Sequence, residues 1–228
     1  MLTVKNTYYM SVYIQFALLL FMLYHQNLIV PPELEILKKA YNLEFYVSII
    51  EFSVYLFMGY YLNKNVMSIR YTDWFITTNV LLVTLSYLFL YNNYKLEKNT
   101  TALASDEYLK NNYFNIFTTI IIFNSLMLMI GFAGETKIIP KKYGLIGGMV
   151  FFILSFYTIY NNFVKNNFDN LFYLLIFIFI WLLYAVAYLF NYKEKNIAYN
   201  LLDLVSKNLF GLFILYVIYD EKSKLKLG

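Results

Sequence analysis

Cysteine is absent from the 228 residues, which excludes disulfides, thiol nucleophiles and cysteine-held metals. Histidine occurs once, as His25, so no histidine metal cluster can form and no metal site is expected. Arginine also occurs once, as Arg70, and charged residues make up only 14% of the chain. The net charge of +4 is scattered over short polar breaks and the C-terminal KSKLKLG. It therefore reads as membrane-surface charge and not as a face for nucleic acid. The three prolines, Pro31, Pro32 and Pro140, fall outside the apolar runs, where they punctuate the chain. No paired catalytic acid and base or activated nucleophile stands out, and an enzyme is not expected.

What is abundant is apolar surface. Hydrophobic residues make up 61% of the chain and aromatic residues 21%, with a mean hydropathy of +0.54. No soluble core of this size needs so much, so the chain reads as an all-α integral membrane protein in a lipid bilayer. Runs of about 20 apolar residues, each about 30 Å long as a helix, are the unit to count. Seven occur: Thr7–Ile29, Ala40–Leu62, Ile69–Tyr91, Tyr113–Ala133, Tyr143–Phe163, Asp169–Phe190 and Ile197–Tyr219. The first lacks a basic leader region and continues to spanning length, so it reads as a retained span. Short polar breaks, among them Asn63 to Asn65, join the runs into one up-and-down seven-helix bundle over residues 1–228, with no second domain. With the N-terminus outside and the C-terminus cytoplasmic, nine loop or tail lysines fall inside against seven outside, the direction expected of membrane proteins.

The ionisable residues within the spans are the functional suspects. A Lys or Asp at a helix centre costs roughly 2.5–3.5 kcal/mol on insertion scales. The last span carries Lys207 with Asp203 one turn earlier, on the same face. The third carries Arg70 and Asp73, also one turn apart, and the second carries Glu44 and Glu51. Six such groups facing lipid would cost roughly 15–20 kcal/mol, so they must face the interior. Arg70, Asp73, Asp203 and Lys207 together can form a compensated cluster. Glu44, Ser48, Glu51 and Tyr55 share one helical face, with the two carboxylates about 10 Å apart along the axis and no evident cation partner. Asp73, Thr77 and Thr84 form a second stripe. Ser11 and Gln15 add polar groups on the first helix, and Asn200 and Asn208 frame Lys207. Each stripe is open to two readings, a polar seam between helices or a path for protons or cations.

These residues resemble a microbial (type 1) rhodopsin. RYTDWFITT is similar to the third-helix signature of that family, and DLVSK to the seventh-helix signature in which a lysine holds retinal as a Schiff base. Trp181, Tyr184 and Tyr188 match the pocket pattern of the sixth helix, and Asn124, Met127 and Gly131 the ring-pocket spacing of the fourth. Trp74 and Trp181, the two tryptophans of the chain, fall where the family sandwiches the retinal chain. Flat aromatic walls suit a flat polyene, and a buried cation requires a counter-ion. The resemblance implies all-trans retinal on Lys207, with Asp73 and Asp203 as counter-ions. It also implies that Arg70 holds both carboxylates from the extracellular side, that Thr77 is hydrogen-bonded to Asp73 and that Thr78 is paired with Asn124.

Departures from the family pattern bear on activity. Thr84 occupies the position of the carboxylic proton donor of outward pumps. Asn124 replaces the usual aspartate beside Thr78, Ala185 the usual kinking proline, and Asn79 a common proline. Glu44 and Glu51 with Asn208 are similar to the pattern of group 1 viral rhodopsins, small light-gated cation channels. The resemblance therefore implies a channel for monovalent cations or protons. Its path would be lined by Glu44, Glu51, Asn208, Ser11 and Asn200, with Arg70 and Thr84 along it. A light-driven outward proton pump is the alternative, and a sensory rhodopsin a third. Lipid-facing surfaces could also support a homo-oligomer.

Overall fold

The computed structural model describes residues 2–62 and 65–227. Asn63 and Lys64, part of the break expected after the second span, lie outside them. Among the described residues all regular structure is helical. The elements are α1 (Val4–Tyr24), α2 (Glu35–Gly59), α3 (Met67–Leu96), α4 (Asp106–Glu135), α5 (Lys141–Ile159), α6 (Phe168–Leu189), α7 (Tyr192–Asp203) and α8 (Leu209–Leu227). A π-helical turn, Leu204–Asn208, joins α7 to α8, so the two form one seventh rod. Another, Tyr160–Val164, extends α5.

The rods match the seven expected spans, with ends that follow polar caps and not the apolar pattern. α4 begins at Asp106, before the expected Tyr113. The Ser105 hydroxyl accepts from the Tyr108 amide at 3.2 Å, and Asp106 and Glu107 stand in the first turn, where carboxylates favour the helix N-terminus. Thr3, Asn167 and Asn191 cap α1, α6 and α7 in the same way. At the other end, α1 stops at Tyr24, short of the expected Ile29, and turns at 25–27 lead the chain toward Pro31 and Pro32.

Six of the rods are long and apolar enough to cross a membrane. The exception is α2, whose polarity comes largely from Glu44 and Glu51, both turned inward and buried. Sequential helices pack as neighbours, and α1 closes the ring against α7. The α3 rod is the enclosed one: 67% of its apolar stretch is buried, against 17% for α4. Large apolar side chains such as Phe16, Phe57, Ile122, Ile153 and Phe179 point outward, while Glu44, Glu51, Arg70, Asp73, Asp203 and Lys207 are buried inside. This arrangement, apolar outside and ionisable inside, is what a bilayer selects. The protein is an integral membrane protein.

The tightest helix contact lies between α4 and α5. Gly134 and Gly144 meet there so closely that a Cβ on Gly134 would lie 2.9 Å from the Gly144 Cα and also overlap the Tyr188 hydroxyl. Small residues at such a crossing allow backbones to approach where no hydrophobic effect draws helices together.

Candidate functional site

Lys207 sits inside the π turn, 2% exposed. Such turns often occur at functional sites within helices. Its Nζ donates to Asp73 Oδ2 at 2.5 Å. Asp203 Oδ1 and Glu51 Oε1 each lie 3.8 Å from the same nitrogen. The face shared by Lys207 and Asp203 is thus real. The expectation that Glu51 lacks a cation partner is overturned, because α2 packs against the π turn and brings a third carboxylate to the amine. Asn208 Nδ2 donates to Glu51 Oε2 at 2.8 Å, and Gln15 Nε2 to Oε1 at 3.1 Å.

The two aspartates differ sharply. Asp203 accepts from four donors: Tyr55 at 2.7 Å and Arg70 at 3.2 Å on Oδ2, and Tyr184 at 2.8 Å and Trp74 Nε1 at 3.1 Å on Oδ1. Charge-assisted bonds of this kind stabilise the ionised carboxylate. Asp73, by contrast, takes only Lys207 on Oδ2, and its buried Oδ1 has no protein partner. Two expectations are corrected here. Arg70 ion-pairs with Asp203 and not with both aspartates; its other contacts are Tyr55, Asn196 and Asn200. Thr77 does bond to Asp73, but to its main-chain carbonyl, at 2.9 Å, because a helical threonine reaches the carbonyl one turn back more easily than a side chain directed elsewhere.

Beside this cluster lies an open-mouthed, largely apolar cavity. Trp74, Thr78, Met127, Gly131, Trp181, Tyr184 and Tyr188, the residues the resemblance assigned to the pocket, line it. It reaches Ser206, the residue before Lys207. Asn124 stands just outside, donating to Thr78 Oγ1 and Asn79 Oδ1 at 2.8 Å each. Tyr71, Phe152 and Tyr199 also line the cavity. Sequence reasoning missed them, and the only available signal was their aromatic character in a chain full of aromatics.

The remaining expected residues follow the inner face of α1, α2, α3 and the seventh rod. Ser11 donates to the Asn200 carbonyl at 3.0 Å, and Asn200 Nδ2 to Thr7 at 2.9 Å. Glu44 is 1% exposed and turned toward Thr84. Beyond this facing contact neither Glu44 oxygen nor Thr84 Oγ1 has a hydrogen-bond partner. Gln15 Oε1, Asn208 Oδ1 and Asp73 Oδ1 are likewise buried and unpartnered.

A family profile described as bacteriorhodopsin-like protein matches residues 3–220. The chain belongs to that family, the microbial rhodopsins. Members of the family bind retinal as chromophore. No curated protein matches the rhodopsin's sequence. Solved structures do. The viral rhodopsin OLPVRII is 26% identical, with 96% of this chain and 98% of that one covered at a TM-score of 0.78. Xanthorhodopsin, described as a light-driven ion pump with dual chromophore, is 15% identical over 98% and 94% of the two chains, at 0.73. Halorhodopsin, described as a light-driven chloride pump, is 15% identical over 96% of each chain, at 0.69. This rhodopsin's residues fit the family's chromophore, since a buried amine stands beside an apolar, aromatic-walled cavity with carboxylates within 4 Å of its nitrogen.

Proposed function

We propose that this rhodopsin is a light-gated cation channel that holds all-trans retinal on Lys207, with its N-terminus outside and its C-terminus in the cytoplasm. The observation that carries the reading is the row of buried, unpartnered oxygens along α1, α2, α3 and the seventh rod: Gln15 Oε1, Asn208 Oδ1, Asp73 Oδ1, Thr84 Oγ1 and both oxygens of Glu44. All are buried, and apart from the facing pair Glu44 and Thr84 none has a neighbour placed to bond it. A buried oxygen left bare costs about 1–3 kcal/mol, so a row of them calls for water or cations. Carboxylate and amide oxygens replace part of an ion's hydration shell without holding it firmly, as conduction requires.

When bound, retinal supplies light absorption and a light-driven change of shape. The chain's own residues do the rest. Trp74, Trp181, Tyr184 and Tyr188 would wall a polyene and keep water from it, Gly131 would leave room beside them, and Thr78 with Asn124 ties α3 to α4 alongside. Asp73 Oδ2 is the acceptor for a proton held at Lys207 Nζ, 2.5 Å away. Asp203 is already satisfied by four donors. Glu51 reports charge changes at Lys207 to the path, because it lies 3.8 Å from that nitrogen and is bonded to Gln15 and Asn208. Ser11, Asn200 and Arg70 close the extracellular half through their mutual hydrogen bonds.

An outward proton pump is the competing reading, and the inward-turned Glu44 opposite Thr84 is the feature that favours it: a carboxyl there could return a proton where Thr84 cannot. Photocurrents of Glu51→Gln and Glu44→Gln test the path itself. The channel reading expects altered conductance or ion preference in both variants. Unchanged conductance and selectivity in both would remove the two glutamates from the path.

A further inference from the structure

Beside Glu44, where two of the bare oxygens stand, the polar row meets the buried apolar cluster at a thioether, Met22. Met22 is the only apolar side chain of α1 that is fully enclosed among those at its level: it is 1% exposed, whereas its neighbours Phe21 and Leu23 are exposed. Its position is fixed from two sides. Ser48 Oγ donates to Met22 Sδ at 3.3 Å, a weak bond that orients the sulfur toward α2. On the other side is Gly211 in α8, where a Cβ would lie 3.0 Å from Met22 Cε, 3.4 Å from Met22 Sδ and 3.4 Å from Glu44 Cβ. Met22 and Glu44 therefore flank the same point, and the missing side chain of Gly211 leaves the methionine room where α1, α2 and α8 meet.

Polar groups stand on both sides of this thioether. Toward the centre are Gln15, Glu51 and Asn208, linked to each other. Toward the end of α1 is Gln26, whose Oε1 is again buried and unpartnered. The Met22 carbonyl is held by the Tyr41 hydroxyl at 2.5 Å, which fixes the backbone of α1 at the same height. An apolar group spanning a polar passage expels water and so blocks ions without an electrostatic barrier. Methionine is suited to the role because its unbranched chain turns aside over small barriers.

We propose that Met22 is the apolar gate of the cation path, seated by Ser48 and given its space by Gly211, and that conduction requires its side chain to leave the gap beside Glu44. The proposal rests on the channel reading. Its logic is steric: a shorter side chain leaves the gap open in the dark, a similar one keeps it shut, and a methyl group on Gly211 pushes the thioether against Glu44 and narrows the passage.

The test is whole-cell voltage clamp of Met22→Ala, Met22→Leu and Gly211→Ala beside the unaltered protein, with pigment in each quantified by visible absorbance. The expected result is a several-fold rise in dark conductance per pigment in Met22→Ala, near-normal behaviour in Met22→Leu, and a several-fold smaller light current in Gly211→Ala. If the unaltered protein passes a reversing light current and Met22→Ala matches it in dark and light, the gate is refuted and the channel reading stands. If the unaltered protein passes only outward current at every voltage, the channel reading falls and the gate falls with it. Should Met22→Ala form no pigment, Gly211→Ala decides: an unchanged light current per pigment overturns the proposal.

Discussion

Asp203→Asn is the substitution whose consequence can be worked furthest from the structure. The carboxylate takes two donors on each oxygen. An asparagine offers one oxygen and turns an NH2 group toward the other two donors. If the NH2 faces Tyr55 and Arg70, a buried guanidinium loses its acceptor. If it faces Trp74 and Tyr184, the tyrosine can turn fully to Ser206 Oγ, already 2.7 Å away, and only Trp74 Nε1 is stranded. The second orientation is therefore favoured, at about 1–3 kcal/mol for the orphaned indole donor. Arg70 keeps a neutral acceptor but loses its ion pair, and breaking a buried pair from one side costs about 3–5 kcal/mol. The two costs share one cluster and do not simply add. The expected destabilisation is about 3–5 kcal/mol, dominated by Arg70. Reversible unfolding of the purified protein in mixed detergent measures it, with Tyr184→Phe as control. That control removes one donor and leaves Asp203 three, so it must cost less. If Asp203→Asn unfolds within about 1 kcal/mol of the unaltered protein, or no more easily than Tyr184→Phe, the picture of a carboxylate sustained by four donors is wrong.

Two further outcomes follow from the same geometry. Lys207→Ala, incubated with all-trans retinal, should fold and remain colourless, as read by visible absorbance; a coloured variant would place the chromophore elsewhere. Gly134→Ala should lower stability by about 1–3 kcal/mol, the usual cost of overpacking, because the added methyl meets the Gly144 backbone, which cannot turn aside as a side chain can. Thermal melting of the pigment reads that loss, and an unchanged melting temperature would contradict the close crossing of α4 and α5.

Helical periodicity made the inward faces legible. Glu44, Ser48, Glu51 and Tyr55 are all buried, as are Asp73, Thr77 and Thr84. A lipid-facing position for any of these would be so costly that the pattern leaves little choice. That Arg70, Asp73, Asp203 and Lys207 cluster was legible for the same reason, while the direct pairing of Lys207 with Asp73 came from the family resemblance. What periodicity could not supply is rotation and height between rods. Glu51 meets Lys207 across a long sequence separation, and only the packing of α2 on the π turn brings them to one level. That turn was itself invisible in the sequence, because LVSKN carries neither proline nor glycine. Nor did the pattern separate the two aspartates: the difference between a fourfold-bonded Asp203 and a singly bonded Asp73 arises from Tyr55, Trp74 and Tyr184, which come from three different helices. Helix ends were misplaced where polar caps such as Ser105 carry the helix beyond its apolar stretch.

The central claim is passive cation conduction along α1, α2, α3 and the seventh rod. Whole-cell voltage clamp of cells expressing the protein with all-trans retinal tests it most directly, by recording light-evoked current across voltages while external sodium and potassium are varied. The account predicts a current that changes sign, with a reversal potential that moves with those cations. A current that stays outward at every voltage and ignores them would contradict it and make the protein a pump.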